Sequence, residues 1–174
     1  MKTLYKNRPH RGFSLIETLV YLAIFATFSV LVINSFILVV ASFTNTRTNR
    51  DLLEGGSNVM ERISREIRQA KNIDVTNSTL GSSPGVLQLN STDSSGTAET
   101  IKFSITNGAL NIYQNGTLQD TLLGQNISPT SLIFRRISTT KGEAVKVEMT
   151  MQDSRSKTLR SENFYDTVIL RGEY

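Results

Sequence analysis

Hydropathy divides the chain into four stretches. Residues 1–12 are polar. Residues 13–43 are predominantly apolar, with Leu15, Ile16, Leu19, Val20, Leu22, Ile24, Phe25 and Phe28 followed by the runs 30–33 and 36–40; Glu17 is the one charge among them. About 20 helical residues cross a bilayer, so this stretch is long enough to span one. Residues 44–73 keep a helical period but become amphipathic. Leu52, Met60, Ile63, Ile67 and Ala70 recur on one face, while Arg62, Arg65, Glu66, Arg68 and Lys71 occupy the others. Glu61 and Arg65 are spaced for an i,i+4 ion pair. No proline falls between Pro9 and Pro84, so nothing forces a break. The weak point is Gly55-Gly56, because each glycine costs about 1 kcal/mol relative to alanine in a helix. Asn58 and Glu61 have the spacing of a capping box that could restart a helix. A bend or short interruption is expected there.

Beyond residue 73 the period changes. Residues 74–100 are rich in Ser, Thr, Gly and Asn and contain Ser83-Pro84-Gly85, so turns dominate. Short alternating segments predict strands at 86–89, 100–105, 109–113, 118–122, 131–137, 144–151 and 163–170. Asn107-Gly108 and Asn115-Gly116 fall between such segments and predict tight hairpins; Lys141-Gly142 predicts a further turn. Val145, Val147 and Met149 alternate with Lys146, Glu148 and Thr150, as in a strand with one wet face. The fold class is therefore α+β: a long N-terminal helix whose second half covers an antiparallel sheet.

Charge and composition narrow the functions. Of the 19 basic side chains, Lys2, Lys6, Arg8 and Arg11 crowd into the first 11 residues, where no acid occurs. The remaining basic residues equal the 15 acids in number, so the net +4 resides in the head. General attraction to nucleic acid has little support. Arg62, Arg65, Arg68 and Lys71 could form a basic ridge, but Glu61 and Glu66 balance it. Arg135 and Arg136 are adjacent in a strand and point to opposite faces. Cysteine is absent and His10 is the only histidine. A thiol nucleophile, a disulfide framework and the commonest general base and metal ligand are therefore missing from the domain that follows. No catalytic residue, metal site or cofactor is expected. Asp93, Glu99 and Asp120 read as ordinary surface carboxylates. The N-x-S/T triplets at Asn77, Asn90, Asn115 and Asn126 read as chance in a chain of this composition.

A positive head before an apolar run places the head in the cytoplasm and the C-terminus outside. A secretory signal peptide would have a shorter apolar core, and Val39-Val40-Ala41 offers only a weak cleavage site. A plain signal anchor displaying a binding module outside the membrane is an alternative. An anchored hydrolase is another, but no nucleophile signature supports it.

The junction Arg11-Gly12-Phe13-Ser14-Leu15-Ile16-Glu17-Thr18 resembles the class III signal of type IV pilins and type II secretion pseudopilins. The resemblance implies cleavage after Gly12 by the prepilin peptidase and N-methylation of Phe13. It also implies pairing of Glu17 with the Phe13 amine of a neighbouring subunit. A carboxylate inside a membrane helix costs about 2.5–3.5 kcal/mol on insertion scales, and the freed amine is largely protonated near neutral pH. The implied parts are a leader at 1–12, a transmembrane assembly helix at 13–43, an amphipathic continuation at 44–73 and a β head at 74–174. The implied partners are other pilin subunits and an inner-membrane assembly platform with its ATPase. The chain itself has no phosphate-binding loop. The implied location is the inner membrane as a single-pass protein, then a periplasmic or surface filament.

The segment 60–71, MERISREIRQAK, and the strand at 164–171 are similar to those of minor pilins of the W and J types. Major pilins often carry a mid-helix proline and a C-terminal disulfide; here Asn34 occupies that region and cysteine is absent. The resemblance thus points to a minor pilin or pseudopilin, with a major or DNA-uptake pilin as the alternative.

Overall fold

A computed structural model describes residue 12 and residues 14–124, 126–140, 142–154 and 160–171. Helix α1 spans Leu15–Gln69. The strands are β1 (Asn72–Ile73), β2 (Leu87–Thr92), β3 (Ala98–Thr106), β4 (Ala109–Gln114), β5 (Thr117–Thr121), β6 (Ile127–Thr139), β7 (Gly142–Asp153) and β8 (Arg160–Ile169). The chain forms two compact units; the first ends at Thr44 and the second begins at Asn45.

In the first unit the apolar side chains of α1 are exposed, Leu15 and Phe25 among them. The helix is long and apolar enough to cross a membrane. Residues 15–43 measure about 43 Å at 1.5 Å per residue, against a hydrocarbon core of about 30 Å. Hydroxyls within the stretch bond to its own backbone. Thr18 Oγ1 donates to the Leu15 carbonyl, Thr27 to Ala23 and Ile24, Ser29 to Phe25, and Thr44 to Val40. In lipid these bonds remove the cost of carrying a hydroxyl without water.

In the second unit α1 buries Thr48, Leu52, Gly56, Val59, Met60, Ile63, Ser64 and Ile67. These recur every three or four residues, which is one helical face. That face shares an apolar core with two antiparallel sheets. The first sheet has the order β1-β2-β3-β4-β5 and the second β6-β7-β8. Leu87, Leu89, Phe103, Leu110 and Ile112 point inward from the first; Leu132, Phe134, Val145, Val147, Met149 and Met151 point inward from the second. Each such residue contributes about 1.5–3 kcal/mol when fully buried.

Every predicted strand is present, but they divide between two sheets rather than forming one, and β1 adds a short strand inside the expected helical stretch. The helix ends at Gln69, because residues 72–73 pair instead with Leu89 and Asn90 of β2. Both Asn-Gly turns form: Asn107 and Gly108 have φ of 54° and 75°, Asn115 and Gly116 of 52° and 79°. Positive φ at both central residues gives the twist that tight hairpins need. The turn expected at Lys141-Gly142 falls partly outside the described residues.

The expected interruption at Gly55-Gly56 is absent, and the helix runs through both glycines. The cause is tertiary. A Cβ built on Gly56 would lie 2.1 Å from Cζ at the tip of the Phe164 ring in β8, so the glycine is where strand and helix meet. Strand β8 follows α1 in the same direction through further contacts. Arg160 donates to Asn49 Oδ1 at 2.6 Å, Ser64 Oγ donates to Asp166 Oδ2 at 2.6 Å, and the Arg171 amide donates to the Arg68 carbonyl at 3.4 Å.

Turns of the β region are held by carboxylates. The Asn77 side-chain amide and the Asn77 backbone N–H donate to Asp74, and Gln88 Nε2 adds a third bond. Asp93 accepts from the Thr97 and Ser95 amides. These donors hold both carboxyls below the usual carboxylate range, led by Asn77 for Asp74 and by Thr97 for Asp93. A depressed folded-state pKa contributes stability above the unfolded value and loses it as pH falls through the folded value. The urea midpoint of the full chain in detergent should therefore fall as pH drops from about 5 to about 2. Asp74→Asn and Asp93→Asn should each flatten that acid limb; an unchanged slope in both variants would contradict the assignment.

Candidate functional site: the N-terminal junction

The site is built on the start of α1. The Ser14 carbonyl accepts from the Glu17 and Thr18 amides at 3.0 and 3.1 Å, which begins the helix. Glu17 therefore sits in the first turn, where the helix dipole favours a negative charge. Gly12 is exposed, and a Cβ built there would meet nothing within 4 Å. Phe13 and the leader residues Lys2, Lys6, Arg8 and Arg11 lie outside the described residues.

One neighbour of Glu17 escaped the sequence reading. The Tyr21 hydroxyl donates to Glu17 Oε1 at 3.1 Å. The two are four residues apart on one helix face, and that spacing was the available signal.

The basic residues farther along α1 do not act as one row. The expected Glu61–Arg65 pair is not made; Arg62 instead pairs with Glu66 at 3.1 Å. Side-chain direction decides between two equally spaced pairs, and the packed face of the helix fixes that direction. Arg65, Arg68 and Arg171 border an open cleft with Glu61 and Gln69. Arg135 pairs with Glu148, which Lys146 shares, and Arg136 pairs with Glu143, so each strand arginine has a carboxylate partner. Lys146 and then Arg135 hold the Glu148 carboxyl below its ordinary value. The three carboxylates read as ordinary surface groups, Asp93, Glu99 and Asp120, serve locally. Asp93 closes its turn, Glu99 accepts from Gln114 Nε2 at 2.6 Å, and Asp120 accepts from the Thr121 amide.

A long apolar helix followed by antiparallel sheets is a pilin-like α+β architecture. At its N-terminus the family model for the prokaryotic N-terminal methylation motif matches residues 7–33. The match covers the junction and most of the membrane stretch, and none of the β region. No curated protein and no solved structure matches the chain. The motif supports a type IV pilin-like or pseudopilin subunit, a structural component anchored in a membrane by its N-terminal helix. It implies processing by a prepilin peptidase and assembly with other pilins.

Proposed function

We propose that the chain is a minor pilin or pseudopilin, cut between Gly12 and Phe13, N-methylated at Phe13 and assembled through α1. The observation that carries this reading is the methylation-motif match at residues 7–33, with Glu17 in the first turn of α1 as the one charge in the stretch 15–43. The mechanism is assembly rather than chemistry. In the membrane the leader's positive charges keep the junction at the cytoplasmic face. Cleavage removes those charges and creates one new cation, the Phe13 amine. In a filament, that amine on one subunit neutralises Glu17 of another. The apolar face of α1 then leaves lipid for the surfaces of neighbouring helices, where close packing replaces contact with acyl chains. The head, held to the helix by β8, stays outside.

Several features favour a minor subunit. Among the described residues the β region has eight strands in two sheets, cysteine is absent from the chain, and Asn34 lies in the region where a mid-helix proline would fall. Intact-mass and N-terminal analysis of the protein from its native membrane tests the reading. A chain beginning at methylated Phe13 is the expected result. A chain retaining Met1, or one beginning after Ala41, would favour a signal-anchored module or a secreted domain instead.

A further inference from the structure

We propose that Tyr21 is a positioning residue for Glu17: its hydroxyl holds one carboxylate oxygen and leaves the other for the cation of an incoming subunit. This rests on the assembly reading of Glu17 and adds a second residue to it. Both groups lie in a stretch that enters lipid, and each carries a free-energy cost there when it lacks a partner. A carboxylate in hydrocarbon needs donors, and a phenol hydroxyl needs an acceptor. At 3.1 Å each supplies what the other lacks. A hydrogen bond to an ionised acceptor is roughly twice as strong as one between neutral groups.

Geometry gives the contact its consequence. Tyr21 engages Oε1, while Oε2 has no partner among the described residues. Glu17 has three rotatable side-chain bonds, so a free carboxylate would sample many directions. Anchoring Oε1 one turn along the helix fixes the carboxylate and presents Oε2. An amine arriving from another chain then meets an acceptor already in place, and the ordering cost has been met beforehand. The phenol donates without adding charge, so Glu17 keeps its full attraction for a cation.

Tyr21→Phe removes the hydroxyl and keeps the ring. In cells, the share of the chain recovered in the sheared filament fraction should fall about tenfold, the size of one hydrogen bond to a charged group. The amount in the membrane should stay constant. The full chain in detergent micelles supplies a second readout: the carbon-13 resonance of the Glu17 carboxylate should shift in Tyr21→Phe and stay put in Tyr113→Phe. Glu17→Gln separates the two ideas. Normal incorporation of Tyr21→Phe alongside failure of Glu17→Gln would overturn the Tyr21 proposal and leave the assembly reading intact. Reduced incorporation with an unmoved Glu17 resonance would also overturn it, since the ring would then act by packing. Normal incorporation of Glu17→Gln would overturn the assembly reading itself.

Discussion

Glu17→Gln should reduce recovery of the chain in filaments at least about a hundredfold, with its membrane level unchanged. Removing one member of a desolvated ion pair costs about 3–5 kcal/mol, because the other charge is left without its partner. The amide keeps the shape of the carboxylate but loses its charge, and it replaces one acceptor oxygen with a donor. It also inserts into lipid more easily than the acid, so a fall in filament content cannot be traced to failed insertion. Quantitative immunoblotting of sheared filament and membrane fractions checks both halves of the expectation. Incorporation at the wild-type level would show that α1 assembles by apolar packing alone, and the charge pairing would be wrong.

The junction was legible because its chemistry is local. A basic head, a glycine, an apolar run and one acid are all read within about 20 consecutive residues, and the bilayer imposes its length requirement directly on sequence. The strands were legible for a related reason. Alternation places Val145, Val147 and Met149 on one face whatever they pack against, and Asn-Gly sets its own positive φ. The features that were missed depend on distant residues. Division into two sheets follows from which strands pair, β6 with β7 and not with β5, and no periodicity records that. The choice of Arg62–Glu66 over Glu61–Arg65 depends on which helix face is covered. The short β1 forms because residues 72–73 find a partner in β2, where local pattern alone favours more helix. Tyr21 was hidden by its own stretch, since a tyrosine in an apolar run reads as apolar until its hydroxyl is given an acceptor.

Gly55 and Gly56 should respond to alanine with opposite signs, although they are neighbours in one helix. A Cβ at Gly55 would lie 3.4 Å from Ile127 Cδ1 and 4.0 Å from Leu123 Cδ2, close to ordinary contact. Gly55→Ala should therefore stabilise the second unit by up to about 1 kcal/mol, the gain in helix propensity. At Gly56 the added methyl would occupy the space of the Phe164 ring. Overpacking of this kind costs about 1–3 kcal/mol, enough to outweigh the propensity gain. The strand has little room to yield. Arg160 and Asp166, on either side of Phe164, are each bonded to the same helix. Urea denaturation of the full chain in detergent, followed by far-UV circular dichroism, should show Gly56→Ala shifted to a lower midpoint and Gly55→Ala unchanged or higher. Shortening the ring with Phe164→Leu should relieve the clash, so the double variant should lose less than the sum of the two single changes. A Gly56→Ala midpoint at or above that of the native chain would mean that β8 does not approach the helix this closely. The continuity of α1 through the two glycines would then need a cause other than this strand.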